Sequence, residues 1–448
     1  MLLSETSLVL LMVCGTQASH FLGTVMTYYP KDTFENGSVT VTVRYKLNFH
    51  TAACINDETW NCLSGDCGTG TYTLHVVKQE SSGDWCQREG IMTRQVPSNA
   101  LFELRLEGSE WISNVKNDIS SWRAVTRVEL RNRSDTGKAN TSPQTTILPA
   151  VGVPSNCQRD FSLLMFDPDG DEVKCRYGNS ALSECNPCTP PSVLSLSSSS
   201  CTLSFSPTSS SNEGSYVVQL VMEDFPRQTI TLTQTNGTQT TITTNDAISK
   251  IPIQFALKVD PAVPSCTEGL FLPKFLPPTP ANGAQLYNNV SQTLEIHITA
   301  EALNSTVSEL LYSGPYNLIS SPSGPGQFTL RWTPSESEEG QSLPICFAVQ
   351  AVSRGTKYHS ELRCVTVTVV KGPVITTTPE TTTPSEPSYV LKLKITSLVD
   401  LSKVDRNYLL TQIKNVLISN GLPQDMIIRL MSSKPQIGAI AAPSTGTT

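Results

Sequence analysis

Alternation of apolar and polar residues is the feature that most limits the folds open to this chain. The clearest run is VTVTVRYKLNF, in which every second residue from Val39 to Phe49 is apolar. Similar runs are IPIQFALKV at 251–259, TLEIHI at 293–298 and RCVTVTVV at 363–370. A period of two predicts β-strands with one buried face and one solvent-exposed face.

Clusters of Gly, Pro, Asn and Ser separate these runs at short spacing, and no long helical pattern precedes residue 400. Many short strands between turns predict a mainly β chain of tandem antiparallel β-sandwiches. A Thr/Pro-rich linker and a small β-α-β segment are predicted to follow the sandwiches.

Two stretches of the chain repeat one design. CTLSFSPTSSSNEG from Cys201 and FTLRWTPSESEEG from Phe328 share Thr-Leu, an aromatic residue, a proline and a Glu-Gly turn. We therefore predict two related modules, with Phe205 and Trp332 as aromatic residues of their cores. The expected boundaries are 151–262 and 263–371, after an N-terminal disulfide-containing β domain at 20–150.

The two ends of the chain differ from this body. Residues 1–19 contain a short apolar run followed by small residues, which predicts a signal peptide cleaved after Ala18 or Ser19. Residues 372–388 are rich in Thr and Pro and predict an O-glycosylated linker. The pattern at 389–434 predicts strand, helix and strand, and 435–448 is expected to be a disordered tail.

Cysteine usage indicates an oxidising compartment. Of 13 cysteines, Cys14 lies in the expected signal peptide, and the remaining twelve can form six disulfides. They are Cys54, Cys62, Cys67, Cys86, Cys157, Cys175, Cys185, Cys188, Cys201, Cys266, Cys346 and Cys364. The second and third modules each hold an odd number, so we predict that Cys157 pairs with Cys266 and Cys346 with Cys364. The C-x-x-C of Cys185 and Cys188 lacks a second ligand pair, which favours a disulfide over zinc.

Glycosylation signals agree with secretion. Six sequons occur, at Asn36, Asn132, Asn140, Asn236, Asn289 and Asn304. The net charge of −7 and pI of about 5.4 argue against nucleic acid as a partner. After the first apolar run no second long apolar segment follows, so no membrane span is expected in this chain.

A resemblance supports this interpretation. The stretch NTSPQTTILPAVGVPSNCQRDFSLLMFDPDGDEVKCRYG, followed by GSYVVQLVMEDF, resembles the cadherin-like and immunoglobulin-like modules of secreted and cell-surface animal glycoproteins. The segment at 389–434 is similar to half of a ferredoxin-like or SEA-like unit. The resemblance implies β-sandwich modules that host adhesion, matrix, receptor or enzyme-appendage roles.

The loop MFDPDGDEVKC is a candidate calcium site. Asp167, Asp169 and Asp171 supply carboxylates at alternate positions, and Asp224 is expected to approach from a later strand end. The EF-hand pattern fails, because Gly170 comes one position early and residue 178 is a glycine. The alternative is a plain turn in which the aspartates accept backbone N–H bonds and Gly170 takes a positive φ.

Catalytic residues are not predicted. The five histidines lie in no metalloprotease or nucleophile-elbow motif. One alternative is copper: cleavage after Ser19 would leave His20 first in the chain, and its amine and imidazole would bind copper with a second histidine such as His75. Otherwise His20 simply begins the first edge strand. Cleavage after Ala18 would make Ser19 the first residue and would exclude this copper site.

Together these patterns predict a secreted, disulfide-bonded glycoprotein that acts as an extracellular binding or adhesion module and is not an enzyme. Its expected ligand is an extracellular protein or glycan, and no cofactor is expected apart from structural calcium at the aspartates. One alternative is the ectodomain of a mucin-like, membrane-anchored surface protein. The other is a secreted copper-dependent or hydrolytic enzyme.

Overall fold

The computed structural model of the chain describes residues 20–54 and 58–371, together with Thr411 and Lys414. The predicted signal peptide, linker and tail lie outside these residues. Of the predicted β-α-β segment only Thr411 and Lys414 are described, and both are helical. Within the described part, no helix is long and apolar enough to cross a membrane.

The first sandwich encloses an aromatic core. Its strands are β1 (Phe21–Thr33), β2 (Val39–Phe49), β3 (Asn61–Ser64), β4 (Thr69–Gln79), β5 (Cys86–Val96), β6 (Phe102–Ser109) and β7 (Ser121–Val128). The two-residue strand β8 (Asn132–Arg133) follows, and it pairs with a strand at 230–233, in the second sandwich. Strands β1, β2, β5 and β4 pair in that order, and β3, β6 and β7 pair in another antiparallel group. Tyr28, Leu47, Phe102 and Trp122 belong to the core that these strands share.

The second sandwich follows directly. Its strands are β9 (Ala150–Pro154), β10 (Arg159–Ser162), β11 (Glu172–Tyr177), β12 (Leu194–Ser197), β13 (Thr202–Phe205), β14 (Gly214–Phe225), β15 (Ile230–Thr233), β16 (Gln239–Ile242) and β17 (Lys250–Asp260). Strands β11, β14 and β17 are antiparallel and β9 lies parallel to β17, opposite the sheet β10-β13-β12. Single pairs, Val25 with Ile253 and Arg127 with Lys250, connect β17 to β1 and β7. One sheet therefore runs from the first sandwich into the second.

The third sandwich has two facing sheets. Its strands are β18 (Lys274–Leu276), β19 (Ala284–Asn289), β20 (Leu294–Glu301), β21 (Thr306–Ser313), β22 (Ile319–Gly324), β23 (Gln327–Trp332), β24 (Ser342–Ser353), β25 (Thr356–His359) and β26 (Arg363–Val370). The sheet β18-β20-β23-β22 faces β19-β26-β24-β21, with β25 on β24. Trp332 lies in its core, and Phe205 lies in the core of the second sandwich, as the repeated motif predicted.

The described chain is thus mainly β, and the prediction of antiparallel sandwiches is confirmed. Four short 3-10 turns accompany the strands, at Thr51–Ala53, Ser180–Leu182, Ser210–Asn212 and Glu336–Glu338. The boundaries at 150, 262 and 371 stay predictions.

The prediction of a solvent-exposed face on β2 is wrong. Arg44, Lys46 and Asn48, the polar residues of the alternation, are 8%, 7% and 0% exposed. The third sandwich covers this face, because Arg44 contacts Glu338 and the Lys46 ammonium donates to the carbonyl of Gly314. Contacts between residues far apart in sequence therefore decide which polar residues of a strand reach water.

All twelve cysteines after the expected signal peptide form disulfides. The pairs are Cys54–Cys86, Cys62–Cys67, Cys157–Cys266, Cys175–Cys201, Cys185–Cys188 and Cys346–Cys364. The structure thus contains the two pairings expected from the cysteine counts. The Cys157–Cys266 bridge joins residues on either side of the expected boundary at 262.

Candidate functional site

The aspartate-rich loop connects β10 to β11, and it folds as a hydrogen-bonded turn. The Oδ1 atom of Asp167 accepts the backbone N–H groups of Asp169, at 2.9 Å, and Asp171, at 3.1 Å. Gly170 has φ of +85°, a conformation that a residue with a Cβ atom rarely adopts. Carboxylate oxygens of the three aspartates lie within 4.8 Å of one another. The turn therefore holds three acidic groups close together.

A buried arginine lies among these carboxylates. Arg133, on β8, is 2% exposed, and its guanidinium donates to both carboxylate oxygens of Asp171, one of them at 2.8 Å. It also donates to the carboxylate of Asp135, at 2.8 Å, and to the side-chain oxygen of Asn140, at 2.6 Å. A carboxylate oxygen of Asp169 lies 3.8 Å from a guanidinium nitrogen of Arg133. Arg133 therefore supplies positive charge where a cation was expected.

Asp224 joins the same cluster from the end of β14, as the sequence predicted. Its Oδ1 atom accepts from the backbone N–H and the hydroxyl of Ser249, at 2.8 and 2.7 Å. Its Oδ2 atom accepts from the amide of Asn140 at 2.7 Å. The neighbouring Glu223 instead pairs with Arg176. These three donors therefore give both carboxylate oxygens of Asp224 a hydrogen-bond partner within the protein.

Calcium fits this donor set only in part. The Oδ2 atom of Asp167 is buried with no hydrogen-bond partner, and such an oxygen is a potential ion ligand. The carboxylate of Asp171, however, is committed to Arg133, and Asp169 accepts the N–H of Thr141 at 2.6 Å. Calcium would have to bind beside a guanidinium that already neutralises part of the cluster.

Burial and the neighbouring carboxylates change the protonation of Asp167 and Asp224. Burial raises the pKa of Asp167 to about 8, and the nearby charges of Asp224 and Asp171 act in the same direction. Burial also raises the pKa of Asp224 to about 6, although Asn140 and Ser249 oppose the change. The folded protein therefore holds protons here that the unfolded chain releases.

We expect this cluster to make the fold less stable as the pH rises. A carboxyl whose pKa is raised on folding binds more protons when folded, so its contribution to stability is lost as the pH rises toward the folded pKa. Between about pH 6.5 and 8, Asp167 should lower the free energy of unfolding by about 1–2 kcal/mol. Urea unfolding at several pH values measures this change.

The matched variants are Asp167→Asn and Asp160→Asn. Asp167→Asn removes the titrating group, so its stability should fall less over this interval and exceed that of the wild type at the upper end. Asp160 is exposed on β10, and Asp160→Asn should keep the wild-type pH dependence. Equal pH dependence in all three proteins would contradict the protonation of Asp167.

The structure contradicts the predicted glycan at Asn140. This residue is 0% exposed, and its amide nitrogen, which would carry the sugar, donates to Asp224. The other five sequon asparagines are exposed or half-buried: Asn36, Asn132, Asn236, Asn289 and Asn304. Burial of a sequon depends on tertiary contacts, which the three-residue motif does not encode.

A second charge cluster was missed by sequence reasoning. Glu89, on β5, accepts from the ammonium of Lys46 at 2.9 Å, from Arg44 at 3.4 Å and from the backbone N–H of Tyr316 at 2.8 Å. Arg44 also donates to Glu338 at 2.6 Å. These four charged side chains connect the first and third sandwiches. The charged residues within β2 were a signal, but they were interpreted as solvent-exposed.

The partner that the copper alternative assigned to His20 is not beside it. His75 is on β4, which is separated from β1 by β5 and β2. Across these strands His75 is level with Val25, which is five residues along the chain from His20. Its ring stacks on Tyr316, with ring centroids 4.2 Å apart. The ring beside His20 is that of His50.

The fold thus defines the chain as a disulfide-bonded protein of β-sandwiches. No protein-family model and no curated protein matches it. Among solved structures, it is similar to an endo-fucoidan hydrolase from glycoside hydrolase family 107, with 12% identity over 74% of this chain and 42% of that chain, at a TM-score of 0.18. This chain therefore spans less than half the length of the hydrolase.

Two further likenesses are to proteins with tandem domains. Human protocadherin-24 EC1-2 is 13% identical over 52% of this chain and 100% of that chain, with a TM-score of 0.17. Sidekick-1 immunoglobulin domains 1–4 are 10% identical over 78% of this chain and 91% of that chain, also with a TM-score of 0.17. At such low TM-scores these likenesses carry no argument about function.

Proposed function

We propose that this chain is a secreted glycoprotein whose β-sandwiches form an extracellular binding or adhesion module, with a protein or a glycan as its ligand. The observation that carries the proposal is the set of six disulfides, which uses every cysteine from Cys54 to Cys364. Disulfides persist in oxidising compartments and are rare where glutathione keeps thiols reduced. Complete pairing therefore favours an extracellular location.

Contacts between the sandwiches support a rigid scaffold. The Tyr29 hydroxyl donates to the carbonyl of Ser342 at 2.8 Å and accepts its N–H at the same distance. Lys357 donates to Glu80 at 2.8 Å, again between the third sandwich and the first. Together with the Cys157–Cys266 bridge, these contacts hold surface loops in fixed relative positions, which lowers the entropic cost of binding a ligand.

We propose a binding role rather than catalysis. Histidines are frequent acid–base groups in enzymes. In this chain, His359 accepts the N–H of Gly152 at 3.1 Å and contacts the side chain of Gln350 at 3.2 Å. Burial lowers the pKa of His359 to about 4. His75 stacks on Tyr316. The ring of His359 is thus engaged in hydrogen bonds, and the ring of His75 is engaged in stacking.

The secretory part of the proposal predicts a specific modification pattern. Protein from a eukaryotic host should contain no reactive thiol when native, and N-glycosidase should lower its apparent mass. Site mapping by mass spectrometry should find glycans among the five accessible sequons and none at Asn140. Free thiols with no glycan would contradict secretion, whereas a glycan at Asn140 would contradict the packing of Asn140 against Asp224.

The binding part is tested by a screen of the 20–371 fragment, displayed as a multimer, against extracellular proteins and glycans. The matched control is the same fragment after reduction and alkylation, which removes the six disulfides. A ligand bound by the native fragment and lost by the control supports the proposal. Failure of the native fragment to bind any extracellular protein or glycan in the screen would argue against a binding module.

A further inference from the structure

Two histidines face each other at one end of the β1–β2 hairpin. His20 directly precedes β1 and His50 directly follows β2, and the antiparallel pairing of Phe21 with Phe49 places the two histidines side by side. The backbone N–H of His50 donates to the carbonyl of His20 at 3.0 Å. Their ring centroids are 6.1 Å apart, with the rings inclined at 72°.

This separation suits a shared metal ion. A metal ion lies about 2.0–2.1 Å from an imidazole nitrogen, so two rings that bind one ion from opposite sides have centroids roughly 6 Å apart. His50 is exposed and His20 is half-buried, so an ion can reach both rings from solvent. The Nδ1 atom of His50 accepts from the N–H of Ala52 at a long 3.4 Å, a contact that a metal-bound ring can give up.

Rigid neighbours hold both histidines in place. Phe21 stacks on Trp122 with ring centroids 4.3 Å apart and packs edge-on against Trp111 at 4.8 Å. On the other side, the Cys54–Cys86 disulfide fixes the turn that follows His50. A site built on such elements is preorganised, so little of the binding energy is spent on ordering its ligands.

A third nitrogen would come from the α-amino group of His20, if the signal peptide is cleaved directly before it. One of the two expected signal cleavages, after Ser19, makes His20 the first residue of the mature chain and places its amine beside its own imidazole. In the uncleaved chain His20 has φ of +25°, which L-residues seldom adopt. A chain that begins at His20 has no φ at this residue, so cleavage removes that restriction.

We propose that His20 and His50 bind one Cu(II) ion, with the α-amino group of His20 as the third nitrogen ligand. Imidazole nitrogens suit copper, and Cu(II) binds nitrogen sites more tightly than the other divalent first-row metals do. The site lies apart from the aspartates of the second sandwich. The proposal rests on the secretory part of the proposed function, because cleavage after Ser19 frees the amine, but the binding role can fail while the copper site stands.

The test uses the full-length chain secreted from a eukaryotic host, stripped with chelator and titrated with Cu(II) alone. Mass spectrometry should find His20 at the mature N-terminus. Calorimetry should give one ion per chain, and electron paramagnetic resonance should show coupling to nitrogen. His50→Gln should weaken binding by more than about 100-fold, because even the loss of an outer-shell partner costs about 10–100-fold.

Two matched variants decide the assignment. His75→Gln removes a histidine from the same sandwich and should leave copper affinity unchanged. His20→Ala removes the second imidazole, and it should weaken binding and alter the resonance spectrum. Melting temperatures check that each variant is folded. Equal copper affinity in the wild type and His50→Gln, or a mature chain that begins before His20, would overturn the proposal.

Discussion

Replacing Arg133 with methionine is expected to lower the free energy of unfolding by about 3–5 kcal/mol, because removal of one partner from a buried ion pair leaves the other charge uncompensated. Arg133 is 2% exposed and binds Asp171, Asp135 and Asn140 at once. Methionine fills similar space but donates no hydrogen bond. The loss therefore reports the charge and hydrogen bonds of Arg133 rather than its volume.

Urea denaturation of the wild type and of Arg133→Met measures the loss of stability, and Arg105→Met is the control. Arg105 pairs with Glu107 at 2.7 Å, but its side chain is 32% exposed. Exposed pairs contribute about 0–1 kcal/mol, so Arg105→Met should be nearly neutral. If the two variants lose the same small amount, Arg133 is solvated in solution and the buried cluster is wrong.

Calcium adds a second comparison to the Arg133 variant. Removal of the guanidinium frees the carboxylates of Asp171 and Asp169, so the variant should gain stability from added calcium while the wild type should not. At ten times the dissociation constant the gain is about 1.4 kcal/mol, which calorimetry detects. Stabilisation of the wild type by calcium, lost in Asp169→Asn, would show that an ion binds alongside Arg133.

The strands of this fold were predictable because their residues carry local information. The alternation at 39–49 gives β2 with the bounds observed, and the repeated motif identifies Phe205 and Trp332 as core residues. Cysteine counting anticipated the Cys157–Cys266 bridge. The first two predictions depend on patterns within short segments, and the third depends on the number of cysteines in each module.

The site was less predictable because long-range packing decides its chemistry. The three aspartates of the loop were predictable from their spacing, and so was the approach of Asp224. Arg133 was not, since it lies 38 residues before Asp171 on a two-residue strand. The same packing buries Asn140, which its sequon alone marks as exposed. Sequence patterns therefore identified the carboxylates but missed the residue that neutralises them.

Loss of the Glu89 carboxylate should weaken the contact between the first and third sandwiches. Glu89→Gln is expected to lower the free energy of unfolding by about 3–5 kcal/mol, since it leaves two buried cations facing one carboxylate. Glu89 is 2% exposed and binds both Lys46 and Arg44. Burial alone would raise the pKa of Glu89, but Lys46 and Arg44 outweigh burial and hold its pKa below the ordinary value.

The lowered pKa of Glu89 should make the fold less stable at low pH. A carboxyl whose pKa is lowered on folding contributes stability that is present above its unfolded pKa and lost as the pH falls through the folded value. The wild type should therefore lose stability on acidification below the ordinary glutamate range, and Glu89→Gln should lose less. This dependence is opposite in direction to that of Asp167, so the two variants separate the clusters.

The control for Glu89→Gln is Glu107→Gln, and a double variant completes the design. Glu107 is a half-exposed glutamate of the same sandwich that pairs with Arg105 and Arg123, so its loss should cost about 1 kcal/mol or less. Adding Lys46→Met to Glu89→Gln leaves one buried positive charge, Arg44, and one buried negative charge, Glu338. The double variant should therefore recover part of the lost free energy of unfolding. The recovery is expected only if the third sandwich excludes water from β2. A Glu89 variant as stable as the Glu107 variant would mean that the two sandwiches do not pack together in solution, and that the alternating polar residues of β2 form a solvent-exposed face after all.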